Sequence, residues 1–252
     1  MLKKKRQRKY FDDQWKEIRG QLQDYAAKGG PERLHKLRVA IKKVRALEEL
    51  PGLDGKKMKK HFRPLKQLFD EAGEIRAAHV NVRLAKEHGF RDAAFMREQR
   101  TLIRQRTKPF REAIPDALKD IKSTHDYFLR HFGKITHEQL KKFFAKEGKH
   151  LEEELSQALG DELHHCRKRV KNLLYLDKLL GKKESKRFHF DHDYLDALQE
   201  TLGNWHDTAL LAEYVKATGK HAALRKKLSG EQLALLRKVR FEAEDFSRKA
   251  QS

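Results

Sequence analysis

The sequence predicts an all-α protein made of two similar helical bundles packed into one compact unit. Three observations predict this class: apolar residues recur every three to four positions, no stretch alternates apolar and polar residues as a strand would, and one basic helical stretch occurs twice. A hydrophobic content of 38% is sufficient, because a helix in a bundle buries only one stripe. We expect a basic N-terminal arm with the first helix at 1–30, a first bundle at 31–130 and a second bundle at 131–252.

In the first half, glycine and proline separate the predicted helices. The first helix, 11–27, precedes Gly29-Gly30, and Pro31 then opens a second helix at a position where its missing N–H is not needed. Pro51 follows the end of that helix. Past a basic connector we expect helices at 64–72, 74–88 and 92–119, with a turn at Gly73 and breaks near Pro109 and Pro115.

The second half follows a boundary segment expected at 123–136. Phe143, Phe144 and Leu151 are the apolar anchors of its first predicted helix, and Gly160 separates that helix from the next one. The predicted helices of this half are 137–159, 161–180, 193–202, 204–218, 221–228 and 231–249.

The basic stretch at 34–45 is predicted to form a helix with one cationic stripe. Each residue advances about 100° around a helix, so one narrow stripe contains His35, Arg38, Lys42 and Arg45. We call these four residues the first ladder. The neighbouring stripe is apolar and is expected to face the core, with Leu34, Leu37, Ile41 and Val44. At about 1.5 Å per residue the ladder is roughly 15 Å long, which suits an extended polyanion.

The same stretch recurs without a gap at 163–175. A second ladder, His164, Arg167 and Lys171, takes the places of the first three residues of the first ladder, and Leu174 replaces its fourth. Cys166 falls at a core position, which predicts a buried structural thiol. Downstream blocks repeat in the same order, 55–62 with 181–188 and 65–76 with 195–206, so the chain is predicted to contain an internal duplication.

The H-x-x-R-x-x-x-K helix, followed about forty residues on by an L-G-x-x-R-D-like turn, resembles the CHAD family, the conserved-histidine α-helical domains. The resemblance covers 31–252 as one domain. It implies two bundles related by pseudo-twofold symmetry with a basic surface between them, binding of inorganic polyphosphate, and no catalysis. Ala77 and His206 depart from the pattern, since they stand where the motif has Asp in the first copy and Arg in the second.

On this resemblance we expect a polyphosphate site in a basic groove or pore lined by both ladders. The arginines and lysines would bridge phosphate oxygens, and His35 and His164 would act as supporting donors. Basic residues of the adjoining helices would complete the wall: Lys60, Arg63, Arg76, Lys186 and Arg187.

A net charge of +21 favours anionic partners in general. Nucleic acid is therefore the alternative partner, although we recognise no duplex-reading module, and the aromatic residues that match between the repeats, Phe62 and Phe188, are better explained as core than as stacking platforms.

We expect no catalytic site, no metal and no cofactor. A metal-dependent phosphohydrolase is the less favoured alternative, and it would start from the pairs His125-Asp126 and His206-Asp207. The sequence has no glycine-rich phosphate loop or nucleophile turn, and its fourteen histidines lack the spacings of a zinc site.

The single cysteine excludes an intrachain disulfide and predicts a reducing compartment. The sequence contains no run of about twenty apolar residues, so we expect no transmembrane helix. The basic N-terminus is not followed by the apolar region of a secretory signal. The expected location is the cytoplasm, and association with polyphosphate granules is compatible with the resemblance. The arm before Phe11 is expected to be disordered on its own.

Overall fold

The computed structural model describes residues 4–51, 60–131, 133, 135–180 and 191–250. This part of the chain is helical and contains no strand, so the predicted all-α class is confirmed. Its nine α-helices are α1 (Lys4–Lys28), α2 (Pro31–Ala46), α3 (Arg63–Glu87), α4 (Ala93–His131), α5 (His137–Gln157), α6 (Asp161–Leu180), α7 (His192–Ala217), α8 (Ala222–Ala243) and α9 (Phe246–Ala250). A 3₁₀ turn, Leu47–Glu49, follows α2.

The chain divides into two compact units, one comprising Met1–Lys86 and Arg91–His137 and the other Glu87–Phe90 and Glu138–Ser252. In the first unit, α1 packs against α2 and α4. The ring of Phe11 in α1 stacks on that of Phe128 in α4 with 5.4 Å between centroids. The apolar stripe predicted for α2 is buried, with Leu34, Leu37, Ile41 and Val44 in the core.

In the second unit, α7 packs against α6 and α8. The carboxylate of Asp191 caps α7 by accepting a hydrogen bond from the backbone N–H of Tyr194 at 2.8 Å. The hydroxyl of Tyr194 donates to the backbone oxygen of Glu242 in α8 at 2.7 Å. Cys166 is buried as predicted, and burial raises the pKa of its thiol to about 11, with Glu154 contributing.

Helix α1 begins at Lys4, so the predicted start of the first helix at Phe11 is wrong. The reason is that the buried stripe of α1 extends backwards from Phe11 to Gln7, which is only 1% exposed. The Arg8 guanidinium also donates to the backbone oxygen of Leu129 in α4 at 3.4 Å. Packing against α4 therefore orders a basic segment that charge repulsion would otherwise disfavour.

Several predicted helix breaks are also wrong. Helix α3 continues through Gly73, α7 through Gly203, and α8 through Ser229 and Gly230. Helix α4 contains both Pro109 and Pro115. Proline in a helix interior costs about 3 kcal/mol, but three neighbouring apolar side chains of α4 are buried and offset that cost: Phe110, Ile114 and Ile121.

The His125-Asp126 pair joins two helices of the first unit. His125 Nε2 lies 2.9 Å from Asp12 Oδ1 in α1, and its Nδ1 lies 3.3 Å from Asp126 Oδ1. The imidazole ring also lies against Phe11 and Trp15, with centroid distances of 5.4 and 5.1 Å. These contacts give the pair a packing role between α1 and α4. Within the described ranges, no helix is long and apolar enough to cross a membrane.

Candidate anion-binding site

Arg38, in the first ladder, lies across helix α3 at Gly73. Its Cζ is 3.6 Å from the centroid of the Phe69 ring, and its Nη1 donates a hydrogen bond to the backbone oxygen of Phe69. A Cβ at position 73 would overlap with Nη1 and would lie 2.9 Å from Cζ. Glycine is therefore required here for close approach of a side chain, which explains why it occurs in the middle of a helix.

The charge of Arg38 is held in an unfavourable environment. Burial, together with the positive charge of Arg76 in α3, lowers the pKa of its guanidinium to about 10, against the opposing effect of Asp70. Lys42 lies next to it, with Nζ 5.7 Å from the centroid of the Phe69 ring. The structure thus brings together three predicted site residues, Arg38, Lys42 and Arg76. An anion bound there would offset the cost of burying the Arg38 charge and the repulsion between the cations.

Arg167, in the second ladder, has the corresponding place on α7. A Cβ at Gly203 would lie 3.2 Å from its Nη2 and 3.3 Å from its Nε. Among the described residues, no hydrogen-bond partner reaches the buried Nε of Arg167. Burial lowers the pKa of this guanidinium, while Asp207 and Tyr175 raise it. The alignment of 34–46 with 163–175 predicted that the two arginines would correspond, and both lie against a helical glycine; the duplication itself stays a prediction.

His164 and His206 form a stacked pair beside Arg167, with 4.3 Å between ring centroids and 27° between planes. Burial, helped by His206, Lys168 and Arg167, lowers the pKa of His164 to about 4. Burial also lowers the pKa of His206, and Arg167 adds to this effect. Both imidazoles are therefore neutral near pH 7, and each is able to donate one hydrogen bond without adding charge.

This pair borders a cavity of about 360 Å³ between the start of α6 and helices α7 and α8. Acidic and basic side chains both line it, including Asp161, Glu213, Lys216 and Arg225. The Nδ1 atom of His164 is buried without a hydrogen-bond partner in the described part of the structure.

His35 precedes Arg38 by three residues on α2 and lines a cavity. This shallow cavity of about 430 Å³ lies between α1 and α2 and is also lined by Lys36 and Lys43. Three carboxylates line the same cavity, those of Asp13, Glu17 and Glu32. The surroundings of His35 are thus of mixed charge, and its expected part in phosphate binding stays a prediction.

The remaining predicted site residues differ in their surroundings. Arg45, Lys60 and Arg63 are exposed, and Lys171 is half-buried on α6. Lys186 and Arg187 lie outside the described residues. Sequence reasoning missed Phe69, Gly73 and Gly203 as parts of the site. The two glycines did carry a signal, because both occur in the repeated L-G-like block, but that block was interpreted as a turn. Within the described residues, no group of three or more His, Cys, Asp or Glu side chains could hold a metal ion.

The comparison with protein families identifies one family. A family model described as CHAD domain matches residues 9–216. Among solved structures, the chain is similar to the crystal structure of the CHAD domain from the plant Ricinus communis, with a TM-score of 0.60 and 18% sequence identity over 96% of this chain and 91% of that chain. At this identity the similarity supports the fold alone. Among curated proteins, none matches the chain.

Replacing Gly73 with alanine should not give the stabilisation that is usual in a helix. A Gly→Ala change in a helix interior normally stabilises by about 0.5–1 kcal/mol. At Gly73 the new Cβ would displace the Arg38 guanidinium from Phe69, which should cancel or reverse the gain. The measurement is the free energy of unfolding in urea.

Gly20→Ala in α1 is the matched control, because outside the adjoining residues and backbone of α1 itself no atom lies within 4 Å of a Cβ built there. It should give the full gain of about 0.5–1 kcal/mol. In an Arg38→Ala background, Gly73→Ala should recover that gain, since the clash is gone. Equal stabilisation by Gly73→Ala and Gly20→Ala in the wild-type protein would contradict the close approach of Arg38.

The lowered pKa of His164 predicts a loss of stability on acidification. The unfolded chain, in which histidine titrates near 6.5, takes up this proton before the folded protein does. The contribution is therefore complete above about pH 6.5 and is lost as the pH falls through about 4. His164→Gln should flatten the dependence of the free energy of unfolding on pH in this range. His165→Gln, which removes an exposed neighbour, should leave it as steep as in the wild type.

Proposed function

The chain belongs to the CHAD domain family, and from this premise we propose that it binds inorganic polyphosphate and is not an enzyme. The observation that supports the proposal most directly is the pair of half-buried guanidinium groups, Arg38 and Arg167, each lying on a helical glycine. As part of the same proposal, the protein acts in the cytoplasm and associates with polyphosphate granules.

The geometry around Arg38 suits a phosphate chain. Of the five N–H donors of a guanidinium, one is used by the backbone oxygen of Phe69, and arginine can offer a pair of donors to two phosphate oxygens at once. Because the Phe69 ring and Gly73 hold the planar group in place, less rotamer entropy is lost when the ligand binds. Lys42 and Arg76 add positive charge at the same place.

In the second unit the proposed donors are Arg167, Lys171 and the neutral imidazole of His164. Polyphosphate presents only oxygen acceptors and negative charge, so a neutral histidine N–H can contribute without the repulsion that another cation would add next to Arg167. A bound phosphate would in turn favour the protonated form of His164, since it supplies the opposite charge. Binding should therefore strengthen as the pH falls below neutrality.

A competition titration tests the proposal. The purified protein is titrated with long-chain polyphosphate and with single-stranded DNA of equal total charge, at about 150 mM salt, where screening acts over about 8 Å. Polyphosphate should bind at least about tenfold more tightly, which corresponds to about 1.4 kcal/mol, because the site provides N–H donors for phosphate oxygens and the guanidinium of Arg38 already lies over the Phe69 ring. Equal or tighter binding of DNA would instead assign the positive charge to general polyanion or nucleic-acid binding.

The role of the ladders is tested by removing two charges in each of two variants. Arg38→Gln with Arg167→Gln should weaken polyphosphate binding by about a hundredfold or more, since each of the two charge-assisted hydrogen bonds is worth about 1.5–3 kcal/mol. Lys36→Gln with Lys43→Gln removes the same charge from the neighbouring face of α2 and should have a much smaller effect. Affinity is measured by isothermal titration calorimetry.

Because Arg38 and Arg167 also pack against glycine, a charge-conserving variant separates binding from folding. Arg38→Lys with Arg167→Lys retains both charges but loses the planar pair of donors, so its affinity should lie between those of the wild type and the glutamine variant. Circular dichroism checks that each variant is folded. If the two glutamine variants lose affinity equally, the ladders are not the site.

A further inference from the structure

Helix α4 carries a row of cations that belongs to neither ladder. We call it the α4 row, and it consists of Arg97, Arg100, Arg104, Lys108 and Arg111, all of them exposed. Spacings of three and four residues place these side chains along one side of the helix. At about 1.5 Å per residue, the row extends over about 21 Å.

Four of the five cations of the α4 row have no acidic residue three or four positions away along the helix. Elsewhere, lysines form ion pairs one turn away along the same helix: Lys66–Asp70, Lys142–Glu138, Lys149–Glu153, Lys227–Glu231 and Lys238–Glu242. In the row, Lys108 has such a partner, Glu112, at 3.9 Å. The residues three and four positions from Arg100 are either apolar or basic: Met96, Arg97, Ile103 and Arg104.

Each member of the row therefore has a like charge one helical turn away, and like charges at this spacing destabilise a helix. The net charge of +21 on the whole chain adds to the repulsion. An anion lying along the row would remove this repulsion over its entire length. This is the physical reason to interpret the row as a binding surface and not only as a solvated face.

The side chains of the row outline a shallow groove along α4, to which Ala26 of α1 adds at one end. Two adjoining depressions, of about 640 and 600 Å³, share Ile103 and Arg104 and extend along α4 from Ala93 to Glu112. Arg111, at one end, donates a hydrogen bond to the backbone oxygen of Ala26 in α1, which fixes that end of the groove.

We propose that the α4 row is a second binding site for a segment of polyphosphate, separate from the ladders on α2 and α6. The identity of the ligand rests on the proposed function, whereas the existence of the site rests on the row itself. Four of the five cations are arginines, whose planar guanidinium pairs with two phosphate oxygens. A protein with more than one such site holds a long chain more tightly than a short one, because the second contact becomes intramolecular.

Two other polyanions fit the groove less well. No aromatic side chain lines either depression, and single-stranded nucleic acids bind largely by stacking their bases on aromatic rings. Met96 and Ile103 are half-buried, whereas a helix that binds an anionic membrane inserts an exposed apolar face. Nucleic acid and membrane are therefore outcomes to be tested against polyphosphate.

The test removes three charges from the α4 row and compares how the affinity for polyphosphate depends on salt concentration. R97Q/R100Q/R104Q removes three arginines while keeping good helix formers in place. Losing three phosphate contacts should reduce the slope of log K against log salt concentration by about 2, using the coefficient for single-stranded polyanions. The control K226Q/R237Q/R240Q removes the same charge from exposed positions of α8 and should leave the slope of the wild-type protein unchanged.

The outcomes separate this inference from the proposed function. If the wild-type protein does not bind polyphosphate, both the proposed function and the α4 site are overturned. If it binds, and the α4 and α8 variants change the slope equally or not at all, only the α4 site is overturned.

The same variants are titrated with single-stranded DNA and with vesicles containing an anionic lipid. Loss of DNA or vesicle binding by the α4 variant, with polyphosphate binding unchanged, would overturn the choice of ligand. Circular dichroism confirms that both variants remain folded, and R97K/R100K/R104K, which keeps the charge, should retain the slope.

Discussion

The contact between an arginine side chain and a glycine inside a neighbouring helix is the constraint on which the candidate site depends. It occurs in both units, as Arg38 on Gly73 and Arg167 on Gly203. A Cβ would overlap with the guanidinium at Gly73 and would be a tight contact at Gly203. The result is a cation that is half-buried and fixed in direction, which differs from the solvated and mobile cations on most of the surface.

Burial of these cations has an electrostatic cost that the protein does not fully compensate. Arg38 has another cation, Arg76, among the groups that lower its pKa, and the Nε atom of Arg167 has no hydrogen-bond partner among the described residues. In the second unit, His206 occupies a position where the family pattern has arginine, and its ring stacks on His164. The surroundings of the two arginines therefore differ. Other cations lie near Arg38 in the first unit, whereas a pair of neutral imidazoles lies beside Arg167 in the second unit.

The errors in the predicted helix boundaries have one physical origin. Glycine and proline were interpreted through their local preferences, which favour a turn at Gly73 and Gly203 and a break at Pro109 and Pro115. In the structure, all four lie inside continuous helices. Packing decided each case, either because an arginine needs the space above a glycine or because buried neighbours of a proline hold the helix together.

The sequence by itself determined the all-α class, the buried stripe of α2, the buried thiol of Cys166 and the correspondence of Arg38 with Arg167. These features follow from periodicity along one helix or from similarity between two stretches, so they need no knowledge of what packs where. Only the tertiary structure decided that Phe69 and Gly73 hold Arg38, that His206 stacks on His164, and that His35 lines a cavity together with carboxylates. Such pairings depend on how helices that are distant in the sequence approach one another. The position of a side chain in the sequence does not specify which residue of another helix it contacts.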